Sequence, residues 1–151
     1  ASRGLGDVYK RQIEYAHELD LPLIIHTREA WPETFQILDE MGTPKRTVFH
    51  CFTGGPNEAE LALQTGAFLS FSGIVTFKNA QDLRDIVSSI PIDRLLLETD
   101  SPFLTPVPFR GSSNSPSYIP VIASFIAELR KISLEHLAEK TSQNAKKLFN
   151  I

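Results

Sequence analysis

Three short apolar runs in this 151-residue chain each end in a side chain able to ligate a metal or move a proton. His26 follows LPLII, His50 follows TVF, and Glu98 and Asp100 follow RLLL. Neutral imidazole nitrogens together with carboxylate oxygens suit zinc, manganese and other divalent ions, and an ion so held brings water toward a pKa of about 7. Hydrolysis is the natural chemistry for such a set, with a carboxylate such as Asp100 holding the ion and taking the proton of the attacking water. Singly, each residue has a plain structural explanation, because a histidine at a strand end is commonly just a hydrogen-bonded one. Three in register change that balance. Glu98 and Asp100 fall on the same side of an alternating strand, so one is expected as ligand and the other as the inward group that orients it.

The register comes from the elements that carry these residues. His26 to His50 is 24 residues, His50 to Ser72 is 22, and Ser72 to Asp100 is 28. That period holds one strand, one helix and two short loops, the βα unit of a parallel sheet. LPLIIH, TVFHCF, AFLSFSG and RLLLETD are the four expected strands, and LPLIIH has the composition of one covered on both faces. Between them, helical spacing runs from Gln12 to Leu19, from Pro32 to Met41, from Pro56 to Gly66 and through LRDIVSSI. After Asp100 the rhythm gives way to a Pro- and Ser-rich loop up to Ser117, then to two amphipathic helices near Tyr118 to Arg130 and Leu134 to Phe149. Parallel strands end on one side of their sheet, so the polar residues should converge there.

Composition bounds the rest. Apolar residues make up 42% and charged ones 22%, which excludes a disordered or fibrous chain. The net charge of −3 leaves no field for indiscriminate capture of polyanions, so any nucleic-acid contact must be local. One cysteine, Cys51, cannot form an internal disulfide, and the expected compartment is a reducing, cytoplasmic one. The apolar runs are of strand length, too short to cross a bilayer as helices. Cys51 is expected as buried filler pointing away from His50, and Trp31 as packing at a helix start rather than a stacking surface for a substrate base. His17 and His136 are expected as surface residues of helices. Arg110 and Asn114 lie in the loop near the same rim, where the arginine either grips a phosphate or is simply solvated.

In this order and spacing, LPLIIHTREA, FHCFTGG, FLSFSGIVTFKNA, LLLETDSPFLTP and FRGSSNSP resemble the TatD family of metal-dependent hydrolases, a branch of the amidohydrolase-like TIM barrels. The resemblance runs from about Gln12 to the C-terminus. It implies that His26 and His50 are metal ligands, and that Asp100 contacts the metal and is the base that activates water. It also implies that Arg110 and Asn114 shape the substrate rim. The activity implied is DNA hydrolysis dependent on Mg²⁺, Mn²⁺ or Zn²⁺, often exonucleolytic from the 3′ end, with some members acting on esters such as aminoacyl-tRNA.

Two family features do not occur here. One is an opening strand with an H-x-H pair, and the other is a metal-bridging glutamate in a G-E-[IT]-G-like segment; the histidines are His17, His26, His50 and His136. An eight-stranded barrel takes about 250 residues. The expected fold class is therefore α/β, a partial TIM barrel: residues 12–151 form the C-terminal half of a (β/α)8 hydrolase, preceded by an unrelated or disordered tail over residues 1–11. Ser115 stands where the family usually has an acidic residue. Such a half barrel would carry unpaired strand edges and a bare inward face, so it should self-associate, hold one ion weakly and show little activity until the missing N-terminal half completes the site. The alternatives are a non-catalytic fragment or interaction module, favoured by the missing H-x-H pair, and amide or deaminase chemistry on the same barrel.

Overall fold

The computed structural model describes residues 3–151. Its elements follow the βα period: α1 (Arg3–Glu18), β1 (Leu23–Ile25), α2 (Trp31–Met41), β2 (Thr47–Phe49), α3 (Pro56–Gln64), β3 (Phe68–Phe71), α4 (Gln81–Ser89), β4 (Leu95–Leu97), α5 (Ile119–Arg130) and α6 (Leu134–Phe149). The four strands form one sheet in the order β1-β2-β3-β4, and every pair is parallel. Leu23 pairs with Thr47, Val48 with Phe68, and Leu69 with Leu95. Each crossover is a helix, as parallel neighbours require.

The helix starts are written in the sequence. Proline occupies the first turn of α2, α3 and α5, where a missing N–H is no loss. In α3 the Gly55 N–H donates to Glu58 Oε2 at 2.9 Å, and in α6 the Ser133 hydroxyl accepts the His136 N–H at 3.1 Å. At the other end of α5, Lys131 adopts a left-handed turn with φ 56°.

Strand alternation divides the core into two clusters. Leu23, Ile25, Phe49, Leu69, Phe71, Leu95 and Leu97 pack against helix residues including Leu38, Ile86, Ile122, Ile126 and Leu137. The opposite face carries Ile24, Val48, Phe68, Ser70 and Leu96. Val48, Phe68 and Leu96 are buried with Leu148 of α6, so the C-terminal helix covers the lower part of that face. Asn144 fixes the helix in place, its Nδ2 donating to the carbonyls of Ile92 and Leu95, both at 2.8 Å.

Three expectations are corrected. The face expected to be bare is covered over Val48, Phe68 and Leu96, because Leu148 of α6 packs on it. The run LPLIIH is not covered on both faces: β1 is an edge strand, and Ile24 is 55% exposed. Nor is the segment ahead of Gln12 a disordered tail within the described residues, since α1 begins at Arg3. Ile13 and Ala16 bury the last turns of α1, and Lys10 Nζ pairs with Glu40 Oε2 of α2 at 2.7 Å. Helix propagation from that anchored end carries the chain upstream, where Val8 and Tyr9 stay half exposed and leave no apolar period to read. Residues 1 and 2 of the expected tail lie outside the described residues.

Candidate metal centre

Two residues beyond Ile24, Val48, Ser70 and Leu96, the same stripe of alternate positions reaches His26, His50, Ser72 and Glu98. Each is at or just past the C-terminal end of its strand, and because all four strands run the same way the groups meet at one end of the sheet.

His26 Nδ1 lies 3.1 Å from His50 Nε2, with the rings tilted at 41° and their centroids 5.2 Å apart. On the other side of its ring, His50 Nδ1 is 3.0 Å from Glu98 Oε1, and Glu98 Oε2 accepts the Cys51 N–H at 2.9 Å. A carboxylate at Nδ1 assigns the proton of a neutral His50 to that nitrogen, which leaves the Nε2 lone pair facing His26. His50, Glu98 and Asp100 each offer one ligating atom, and these atoms lie within 4.8 Å of one another. Imidazole nitrogens about 3 Å apart with a carboxylate close by fit the ~2.0–2.2 Å ligand distances of a small divalent ion.

The turns that deliver these groups differ from the expected alternation. β4 ends at Leu97, and Asp100 sits beyond it with φ 57°, so no strand periodicity relates it to Glu98. The turn, not the strand, brings the Asp100 carboxylate to the cluster. Cys51, directly after His50, also has a positive φ, 46°. Left-handed conformations at two non-glycine residues cost about 1–2 kcal/mol each, and such strain concentrates where a side chain must be aimed. The Cys51 thiol is half-buried and donates to Ser72 Oγ at 3.5 Å. Burial pushes it up to about 11, so near neutrality it stays protonated and is no nucleophile.

Trp31 packs among Phe35, Phe49 and Phe52, with ring centroids 5.2 to 6.0 Å away, as a helix-start packing residue does. His17 and His136 are exposed, and His17 Nε2 lies 2.9 Å from the Gly42 carbonyl. The two expected rim residues part company. Arg110 is exposed, with its guanidinium 3.9 Å from the Phe77 ring centroid and Nη1 donating to the Thr105 carbonyl at 3.2 Å. Asn114 is only 4% exposed, and its amide is directed inward. Its Nδ2 donates to the carbonyls of Thr99 and Phe103, and its Oδ1 accepts the Ser115 N–H at 2.9 Å, so it braces the loop instead of facing a substrate. Ser115 caps the short turn Pro116–Tyr118 by accepting from the Ser117 N–H at 3.3 Å.

Ser72 served in the sequence only as a marker of the βα period, although it is two residues past Ser70 on the stripe that carries His26, His50 and Glu98, a position that alternation alone would have given it. Sequence reasoning passed over Gly73 and Thr76. A Cβ on Gly73 would collide with the Leu104 carbonyl oxygen, and the Thr76 hydroxyl accepts the Val107 N–H at 2.9 Å. These contacts seat the loop after Asp100 against the segment after β3, and nothing local in the sequence announces them.

Among the described residues, no helix is long and apolar enough to cross a membrane. The chain is 47% identical over 146 residues to the uncharacterized metal-dependent hydrolase YabD of Bacillus subtilis, covering 96% of this chain and 57% of that protein. It is 46% identical over 140 residues to the uncharacterized metal-dependent hydrolase YcfH of Escherichia coli K12, covering 92% and 53%. The chain thus spans about half the length of the curated relatives it matches. The crystal structure of YjjV, a TatD homologue from E. coli, superposes with a TM-score of 0.86 at 31% identity over 93% of this chain and 54% of that one. The family model described as TatD related DNase matches residues 6–150. A parallel α/β sheet of the TatD hydrolase type, with histidine and carboxylate side chains gathered at its C-terminal end, and a match over nearly all its residues place this chain in the TatD-related DNase family.

Proposed function

We propose that the chain supplies the later strands, and part of the metal site, of a barrel enzyme that hydrolyses phosphodiester bonds of DNA, removing nucleotides from the 3′ end. His26 through Nδ1, His50 through Nε2 and Asp100 through its carboxylate would hold a divalent ion, Mg²⁺, Mn²⁺ or Zn²⁺. The observation carrying this reading is the 3.1 Å approach of the two imidazole nitrogens beside the cluster of His50, Glu98 and Asp100. Such an ion supplies Lewis acidity, bringing water toward a pKa of about 7 and offsetting charge that builds on the phosphate.

The chain's own residues do the rest. Glu98 holds the His50 ring by its Nδ1, keeping Nε2 free for ligation. The Asp100 carboxylate takes the proton of the attacking water. Arg110, exposed on the loop that follows, faces the phosphate backbone as a bidentate donor. The proposed partners are a DNA end and the barrel strands that would complete the site, and one unpaired cysteine fits a reducing cytoplasm. Within the family, esters of aminoacyl-tRNA are the competing substrates.

The test uses the full-length protein that contains these 151 residues, with a 5′-labelled oligodeoxynucleotide and an aminoacyl-tRNA side by side in Mg²⁺ or Mn²⁺. Shortening of the DNA, abolished by EDTA and reduced at least 10³-fold by Asp100→Asn, is the expected outcome. Release of the amino acid with intact DNA would overturn the nuclease reading.

A further inference from the structure

Phe103 sits three residues past Asp100 and is 69% exposed; among the described large apolar side chains only the final residue, Ile151, is more so. An exposed ring on a loose loop would carry no meaning, but this ring is on a fixed one. The Phe103 N–H donates to the Asp100 carbonyl at 3.0 Å, and its own carbonyl accepts from the buried Asn114 amide at 2.5 Å. The next residue, Leu104, lies with its carbonyl against Gly73, and the Val107 N–H is held by Thr76. Backbone on both sides of Phe103 is therefore tied down while its side chain stands in solvent.

The same loop presents a cation. Arg110 is exposed yet steadied, stacked on Phe77 at 3.9 Å from the ring centroid and bonded to the Thr105 carbonyl. With a chain charge of −3, no overall field gathers a nucleic acid, so local contacts must supply its affinity. An exposed aromatic ring three residues past a carboxylate of the cluster, on a loop whose backbone is bonded to Asp100 and which also carries a guanidinium, offers what a base attached to a phosphate needs. The ring stacks on the base and the cation meets the backbone.

We propose that Phe103 is a specificity residue on which a nucleobase next to the scissile phosphodiester stacks, with Arg110 on a neighbouring phosphate. This rests on the DNA reading above and adds to it a recognition element for the base. Stacking tolerates any base, so the residue selects for the presence of a base, not for its identity.

The experiment measures binding by the full-length protein with Asp100 intact, in Mg²⁺, to phosphorothioate-linked strands that resist cutting. Fluorescence anisotropy compares an oligothymidylate with an abasic strand of equal length, for Phe103 and for Phe103→Ala and Phe103→Trp. The preference for the base-bearing strand should fall about 5- to 150-fold in Phe103→Ala, the equivalent of ~1–3 kcal/mol of stacking, and be retained in Phe103→Trp. Equal binding of the two strands by the Phe103 protein, or a preference unchanged by Phe103→Ala, overturns the stacking proposal while leaving the DNA reading standing. A lowered melting temperature with unchanged preference would mean that the ring packs on protein, and would overturn it too. If neither strand binds, the DNA reading itself fails, and this proposal with it.

Discussion

Glu98 shows how one carboxylate sets up another residue's chemistry. One of its oxygens meets His50 Nδ1 and the other the Cys51 N–H, so the ring orientation of His50 and the strained turn behind it depend on the same side chain. Glu98→Gln keeps the shape but can satisfy only one of those two donors, because its amide nitrogen would face a second donor. We expect the affinity for Mn²⁺ to fall 10- to 100-fold, read by competition with a chelating dye; unchanged affinity would show that Glu98 does not position the ligand. At this scale the sequence was partly legible. His26, His50 and Glu98 could be placed because they end apolar runs of fixed parity. Asp100 joins the cluster through a left-handed turn and not through the strand alternation expected of it, and the inward direction of Asn114 depends on carbonyls from Thr99 and Phe103 that no local pattern reveals.

Elements were more legible than their joints. Apolar runs and proline starts are local signals, so the strands and the helices after β1 fall where their periods put them. The joints depend on approach between distant segments. Gly73 is the clearest case, because Leu104 comes close enough that only a missing Cβ leaves room. In Gly73→Ala the obstacle is backbone, which cannot rotate away, so we expect a loss of about 1–3 kcal/mol in urea unfolding and new proteolytic cleavage within residues 101–118. A stable variant with an uncut loop would contradict the seating of that loop on the segment after β3. The turn of α1 around Val8 and Tyr9 was illegible for the opposite reason: those side chains are half exposed, so burial left no period in its sequence.

Across the whole molecule, the sheet has a finished side and an unfinished one. Helices pack along one face, whereas the other is covered at its lower part by Leu148 and left open at Ile24 on the β1 edge. A groove lined by Ile24, Ile25, His26 and Arg28 together with Tyr9 and Ile13 runs along that edge. Unpaired strand groups beside exposed apolar surface favour association, so the isolated 151-residue chain should sediment as oligomers, and Ile24→Lys should shift it toward monomer. A monodisperse, cooperatively melting monomer would contradict this. The proposed function, however, depends on side chains from the ends of β1 and β2 and the turn after β4 closing around one cation. Calorimetric titration of Zn²⁺ into the chain tests that directly. One saturable site per chain is expected, weakened more than tenfold by each of His26→Ala, His50→Ala and Asp100→Ala. Absence of saturable heat, or binding that survives all three substitutions, would contradict it.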